Sequence, residues 1–367
     1  RPSDFFGIPV EVSGPYLRSI ALGGGSVAHI EDAGGKKELR LGPESMGAYP
    51  GPACYGLGGE EATLTDAFVA AGLLNAECFL GGAKRIDAGI ARKTIEERVA
   101  RPLETSLDDA CRRIVTRAFR MVAGMIEEAR AELGLNGTEP ILYAYGGNGG
   151  LLACGVAELT RIQRVQMFGL GAVFSALGSS VSGICHVYER AVADGAATDA
   201  MAGALRRALE EIRAEAEKDL RGEGIEPAGL KWGIELDVTG AKGRETPVRC
   251  TEAALANGAG VRAALGAQAE ELRIELLRVR VEKPIARAEI PPEPPAGTDS
   301  AHARTGTREA MWGSTTEKAE LYTWEALKPG NRVKGCAVLE SANTTYFVPQ
   351  GWTLDMDGYG NASVWRK

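Results

Sequence analysis

The hydrophobic pattern is clearest between residues 141 and 178. Ile141–Tyr145 is an apolar, aromatic-rich run that predicts a short buried strand, and it is followed by four glycines around one asparagine. Leu151–Leu159 then predicts a helix, and Gln163–Phe168 predicts a second strand. A further glycine-rich passage leads into another apolar helix. This succession predicts an α/β domain.

Elsewhere the pattern predicts further helices and strands. A long amphipathic helix begins at Ser106 and ends at Gly134, and a polar helix covers 200–222. Alternating strands are predicted from Trp232 and from Ile274, and short strands fill the C-terminal region. We therefore expect an α/β domain at 1–195, an α+β domain at 196–283, a proline-rich extended connector at 284–305 and a β-rich module at 306–367.

Two glycine turns are candidate binding elements. Gly23-Gly24-Gly25-Ser26 stands between strand-like segments and predicts a hairpin turn, and the other turn is Tyr145–Gly150. Glycines between a strand and a helix allow backbone N–H groups to approach an anion or a nucleotide, and the helix dipole favours that contact. The alternative for both turns is a tight connection without a ligand.

The segment 41–59 is rich in glycine and proline but also carries side chains that can pack, so it predicts an ordered loop. Asp66 follows in the first turn of a helix and is a candidate catalytic group, with the alternative of a helix cap. Lys84 and Arg85 are candidate phosphate partners or solvated charges. For His29 and Cys54, a structural role is favoured over a catalytic one.

Composition excludes several classes. The 367 residues carry a net charge of −7 with no basic patch, and no apolar run is long enough to span a membrane, so neither a nucleic-acid partner nor a membrane is expected. Seven widely spaced cysteines favour reduced thiols and a cytoplasmic location. Three histidines without a metal-ligand spacing argue against a dedicated zinc site.

Several motifs in one order point to a family. They are GGGSVA at 23–28, LGPESMGAYPGPACYGLGG at 41–59, TLTDA at 63–67, YGGNGG at 145–150 and LKPGNRVKGCAVLESANTTYFVPQGW at 327–352. Together they resemble the hydantoinase A/oxoprolinase family, and the C-terminal motif is most similar to the ATP-dependent subunits of acetone and acetophenone carboxylases.

The resemblance implies a nucleotide core like that of actin, Hsp70 and the sugar kinases, in which two α/β lobes hold ATP and Mg²⁺. This chain would be the second lobe followed by C-terminal modules. The resemblance places Gly146, Gly147, Asn148 and Gly149 at the nucleotide. It makes 23–26 a phosphate-facing turn, and it places the 41–59 loop and Asp66 along the cleft.

Two departures from the family pattern bear on function. Asn148 and Gly150 stand where the family motif usually has alanine and proline. The Asp-x-Gly-Gly-Thr loop of the first lobe does not occur in this sequence. We therefore expect the isolated chain to be inactive and the missing lobe to be supplied in cis or in trans.

The resemblance leaves three functions open. The first is an ATP-dependent ketone carboxylase subunit that uses bicarbonate, working in a hetero-oligomer with other subunits. The second is an ATP-dependent amidohydrolase subunit of the hydantoinase or 5-oxoprolinase type. The third is a scaffold subunit with a degenerate nucleotide site. The sequence does not identify the small-molecule substrate.

Overall fold

The structure is a computed structural model that describes residues 3–5, 8–10, 16–32, 34–241, 243–244, 247–285 and 290–366. It divides into two compact units. One consists of Arg1–Ser175 together with Ile290–Lys367, and the other is Ala176–Glu289. The chain therefore leaves the first unit once and returns to it.

The N-terminal segment of the first unit supplies strands and the helices that pack on them. Its strands are β1 (Ser3–Phe5), β2 (Ile8–Val10), β3 (Ser26–Asp32), β4 (Lys37–Ser45), β5 (Ile141–Ala144) and β6 (Arg164–Met167). Its helices are α1 (Leu64–Ala70), α2 (Ala88–Ile95), α3 (Leu107–Glu132) and α4 (Gly149–Thr160), followed by α5 (Phe174–Ser180) at the division between the units. β1 pairs with β2 and β3 with β4, each antiparallel, whereas β5 and β6 are parallel.

The second unit is an antiparallel sheet with two helices. Its elements are β7 (Ile184–Gly195), α6 (Asp199–Gly222), β8 (Lys231–Gly240), β9 (Gly243–Arg244), β10 (Val248–Cys250), α7 (Gly258–Leu265) and β11 (Arg273–Lys283). The strand order is β10-β8-β11-β7. Arg278 is buried in this sheet, where its guanidinium donates to both carboxylate oxygens of Asp237 at 2.9 and 3.0 Å. A buried charge is tolerated there because it is paired.

The C-terminal segment completes the first unit. Its strands are β12 (Arg304–Trp312), β13 (Thr315–Thr323), β14 (Arg332–Lys334), β15 (Ala337–Glu340), β16 (Thr345–Val348), β17 (Trp352–Met356) and β18 (Ala362–Arg366). They form the sheet β12-β13-β15-β16 and also extend the N-terminal strands into the sheet β14-β17-β18-β6-β5. The region 306–367 was expected as a separate module from its sequence. It instead shares a sheet and a core with residues 141–167.

The long helix predicted from Ser106 is confirmed. The Ser106 hydroxyl caps α3 by accepting from the Asp109 amide, and the helix ends at Glu132, two residues before Gly134. Its apolar face lies in the main core with α1 and α4. This face organises the first unit because it is the surface on which the predicted strand–turn–helix segment packs.

Two local expectations are corrected. Ile141–Tyr145 was predicted as a buried strand, but β5 ends its sheet and alternate side chains point outward, so that Ile141, Tyr143 and Tyr145 are 50, 57 and 50% exposed. The turn at 23–26 was predicted to connect two strands of a hairpin, but residues 16–22 form no strand and the hairpin is β3–β4, which begins at Ser26. None of the described helices has the length and apolar character needed to cross a bilayer.

Candidate functional site

The first glycine turn is held by its own serine. The buried Ser26 hydroxyl accepts from the Gly23 amide at 2.9 Å, and the Ser26 amide donates to the Gly23 carbonyl at 3.1 Å. Short side chain-to-backbone bonds of this kind fix a turn in one conformation. The turn therefore presents its backbone in a defined shape at the start of β3.

Three distant segments meet at this turn. The Gly24 carbonyl accepts from the Thr65 amide at 2.9 Å, and the Gly25 carbonyl accepts from the Met46 amide at 2.9 Å. A Cβ at position 24 would lie 2.6 Å from Thr65 Oγ1 and 3.0 Å from Asn148 Nδ2. The two predicted glycine turns, the start of α1 and the 41–59 segment are thus brought together.

The second glycine turn connects β5 to α4. Gly146 has φ +83°, a conformation that favours glycine, and its amide donates to the Gly171 carbonyl at 2.7 Å. Asn148 precedes the first residue of α4, and its side chain makes no capping bond to that helix. The first amides of a helix have no intrahelical acceptor, and the dipole adds positive potential there. This end of α4 is therefore suited to an electronegative ligand.

Gly150 has a packing reason of its own. A Cβ at this position would lie 2.3 Å from Tyr346 Cδ1 and 2.7 Å from the Thr345 carbonyl oxygen. The departure from the family motif at position 150 therefore accompanies close packing of β16 on the start of α4.

Gly23 and Gly147 behave differently from Gly24 and Gly150. Both are exposed, neither has a left-handed φ, and no heavy atom lies within 4 Å of the position a Cβ would take. The described fold therefore does not require glycine at either position. Close approach of a ligand to the backbone is a physical reason for glycine at both positions.

Asp66 is fully buried. Its Oδ2 accepts from Thr63 Oγ1 at 2.7 Å, from the Thr63 amide at 2.9 Å and from the Ala53 amide at 3.3 Å, and its Oδ1 accepts from the Cys54 amide at 2.7 Å. With Thr63 it forms a capping box at the start of α1. This position favours the helix-cap alternative, and a catalytic role for Asp66 stays a prediction.

The 41–59 loop is anchored at Cys54 by that carboxylate. Burial, reinforced by the neighbouring Asp66, raises the pKa of the Cys54 thiol far above its usual range, so the thiol is neutral and unsuited to nucleophilic attack. Lys84 lies over the ring of Tyr55 with its Nζ 3.8 Å from the centroid. The segment predicted as an ordered loop is therefore held by specific contacts, but its first five residues, 41–45, belong to β4 rather than to a loop.

The other charged candidates lie in ordinary environments. Arg85 is exposed and lies 3.6 Å from the Glu77 carboxylate, and His29 on β3 lies 3.6 Å from that of Glu31. A cavity of about 640 Å³ lies around Arg130, Arg161 and neighbouring residues, and it contains none of the predicted site residues. Among the described residues, no three His, Cys, Asp or Glu side chains are grouped as metal ligands.

Two contact residues were missed by the sequence argument. Thr65 lies against Gly24, and Thr344 Oγ1 donates to the Gly147 carbonyl at 3.0 Å. Thr65 lies in the TLTDA motif and Thr344 lies in the C-terminal motif. Their positions within these motifs were the sequence signal that could have identified them. The sequence alone did not connect them to the glycine turns.

Comparison with known families supports the motif analysis. Residues 3–187 match the family described as hydantoinase/oxoprolinase, and residues 263–360 match the hydantoinase/oxoprolinase C-terminal domain. The chain belongs to the hydantoinase/oxoprolinase family. Its two matched regions lie on either side of the segment 188–262.

Individual curated proteins are also similar to this chain over nearly its whole length. The acetophenone carboxylase gamma subunit of Aromatoleum aromaticum is 31% identical over 94% of this chain and 50% of that protein. The caprolactamase subunit alpha of Pseudomonas jessenii is 26% identical over 97% of this chain and 53% of that protein. The chain spans about half the length of the curated relatives it matches.

Two solved structures share the fold. Nucleotide-free acetone carboxylase has a TM-score of 0.78 and 25% identity, covering 93% of this chain and 51% of that one. ATP-dependent caprolactamase from Pseudomonas jessenii has a TM-score of 0.75 and 25% identity, covering all of this chain and 55% of that one. The mixed α/β architecture with several sheets is therefore shared with the acetone carboxylase and caprolactamase structures.

Proposed function

We propose that this chain is part of an ATP-dependent ketone carboxylase, in which it forms one side of the nucleotide site. The supporting observation is the junction of the two glycine turns. There Gly24 lies so close to Asn148 that a Cβ at position 24 would be 3.0 Å from its Nδ2, and the backbone of Gly23 and of Gly147 is open. The names of the relatives include acetophenone and acetone carboxylase subunits. Activation of a ketone enolate or of bicarbonate by phosphorylation is the expected chemistry.

The residues of the junction fit the backbone-mediated binding of a nucleotide. In the proposed arrangement, Gly146–Gly149 approach the nucleoside side of ATP, and 23–26 face the phosphates, as in the second lobe of an actin-like core. Bound ATP would supply the phosphoryl group that makes a substrate oxygen a leaving group. The task of this chain is to position and to donate hydrogen bonds, which is the main requirement of phosphoryl transfer.

Among the described residues of this chain, no three His, Cys, Asp or Glu side chains form a ligand set for Mg²⁺. We propose that Mg²⁺ is held by the phosphates and by the part of the relatives' length that this chain does not span. That part would be supplied in the same polypeptide or by a partner subunit of a cytoplasmic hetero-oligomer. The isolated chain is accordingly proposed to be inactive.

An amidohydrolase of the hydantoinase or 5-oxoprolinase type is the alternative, because the caprolactamase structure covers the whole chain. A non-catalytic scaffold is the second alternative, and its remaining sequence arguments are Asn148 and the missing first lobe. Gly150 no longer supports it, since its contacts with Tyr346 provide a packing reason.

The first experiment measures ADP release by the complete protein. A carboxylase requires both bicarbonate and a ketone for ADP release, whereas an amidohydrolase requires a lactam or imide and is indifferent to bicarbonate. If ADP release depends on neither kind of substrate and no nucleotide binds, the scaffold alternative is supported.

The second experiment measures binding of a non-hydrolysable ATP analogue to the complete protein. Gly147→Val is expected to weaken binding by about tenfold or more, equivalent to about 1.4 kcal/mol, because a side chain enters the open approach. Gly124→Ala on α3 is the control, since that position is also exposed and free of contacts. Equal affinities of the Gly147→Val variant and the control would contradict the proposed nucleotide contact.

A further inference from the structure

The outer edge of β5 is an open strand edge among the described residues. β5 pairs with β6 on one side only and ends its five-stranded sheet. An open edge presents unpaired N–H and C=O groups to any extended segment. The inward side chains Leu142 and Ala144 pack on the core, so the strand is held firmly while its edge stays available.

The two edges of this sheet differ in character. The opposite edge, β14, exposes Arg332 and Lys334 and is covered by 298–300, since the Arg332 amide donates to the Thr298 carbonyl at 3.0 Å and its carbonyl accepts from the Ser300 hydroxyl at 2.9 Å. β5 exposes Ile141 and Tyr143 instead, with Tyr145 directly after it. The sheet is therefore protected at one edge and apolar at the other.

Aromatic rings extend the apolar surface beyond β5. The ring centroids of Tyr143 and Phe168 are 5.5 Å apart, those of Tyr145 and Phe174 are 5.1 Å apart, and those of the two phenylalanines are 4.2 Å apart. Rigid, half-exposed aromatic groups dominate the energetics of protein interfaces. We call the β5 edge and these four rings the β5 surface.

We propose that the β5 surface is where the rest of the complete protein docks, through a strand that pairs with β5 and apolar side chains that cover the rings. The occupant is the part of the relatives' length that this chain does not span, which is about half of each relative. Strand addition uses backbone bonds for affinity and alternate side chains for specificity. The docked strand would end beside Gly146, next to the glycine turns.

This inference rests on the proposal that the chain works with a second half, but it does not depend on nucleotide binding. Its test is therefore made without nucleotide. Hydrogen–deuterium exchange is measured on the complete protein for the peptide containing β5. The internal references are the interior strand β6 and the edge strand β10, which ends the sheet of the second unit and pairs with β8. The β5 amides are expected to exchange as slowly as those of β6 and about tenfold or more slower than those of β10.

A variant locates the contact. Tyr143→Lys in the complete protein is expected to speed exchange at β5 by about tenfold or more, whereas Tyr143→Phe keeps the slow rate. Leu133→Lys is the matched control, because Leu133 is a comparably exposed apolar residue at the end of α3. Neither Tyr143 nor Leu133 belongs to the proposed nucleotide site, so nucleotide binding is measured separately.

Three results would overturn the inference. The first is β5 exchange as fast as that of the edge strand β10 in the complete protein. The second is slow exchange that disappears on dilution to the monomer, which would assign the edge to a second copy. The third is slow exchange that appears only with an ATP analogue, which would assign the rings to the nucleotide. Slow exchange at β5 without any nucleotide affinity would support docking while the proposed function fails.

Discussion

Asp66→Asn tests whether the buried carboxylate holds the fold or takes part in chemistry. The carboxylate accepts four hydrogen bonds, three at Oδ2 and one at Oδ1. Asparagine keeps the shape but turns one oxygen into a donor. In either orientation of the amide, at least one buried N–H loses its acceptor and faces another donor.

The magnitude follows from those bonds. A buried donor left without a partner costs about 1–3 kcal/mol, and bonds to a charged acceptor are worth about 1.5–3 kcal/mol. We expect Asp66→Asn to lower the free energy of unfolding by about 3 kcal/mol. With a denaturant slope of about 3 kcal/mol per molar urea, the midpoint falls by about 1 M.

The assay is urea unfolding followed by tryptophan fluorescence and far-ultraviolet circular dichroism. Thr63→Ala, which removes the cap hydroxyl, is expected to cost about 1–2 kcal/mol. Asp87→Asn is the matched control, because Asp87 is an exposed cap of α2 and asparagine caps a helix about as well as aspartate. An Asp66→Asn variant with an unchanged midpoint and lost activity would refute the structural assignment and support a catalytic one.

Two further predictions concern packing and pH. Gly150→Ala is expected to lower the free energy of unfolding by about 1–3 kcal/mol through overpacking against Tyr346, measured by the same denaturation, and an unchanged midpoint would contradict the close contact. Burial, together with the hydrogen bond to Glu320, raises the pKa of Tyr322 to about 12. Because the folded pKa lies above the unfolded value, this contribution to stability is complete below about pH 10 and is lost as pH rises toward 12. Tyr322→Phe should therefore reduce the loss of unfolding free energy between these pH values. An identical dependence of stability on alkaline pH in the variant would contradict the raised pKa of Tyr322.

Local patterns in the sequence predicted the elements but not their partners. The helical period and the serine cap at residue 106 were sufficient to place α3, because both are short-range signals. The pairing of β18 with β6 joins residues nearly 200 positions apart, and no local pattern encodes it. The apolar run at 141–145 indicated a strand. Such a run is typical both of a strand inside a sheet and of an edge strand that another segment covers, so it did not distinguish the two.

The candidate site was predicted through motifs rather than through individual side chains. The order of the glycine turns, through the family resemblance, indicated a shared site, which stays a prediction; the structure places Gly24 and Asn148 close together. The reasons for the separate glycines depend on three-dimensional contacts. Position 150 is constrained by Tyr346 from the C-terminal segment, whereas Gly23 and Gly147 are not constrained by the described fold.

The most direct test of the proposed nucleotide site is the structure of the complete protein with a bound, non-hydrolysable ATP analogue. The account predicts that the nucleotide lies within van der Waals contact of Gly147, with its phosphates facing the 23–26 turn. A nucleotide bound elsewhere, or a complete protein that binds none at saturating concentration, would contradict it.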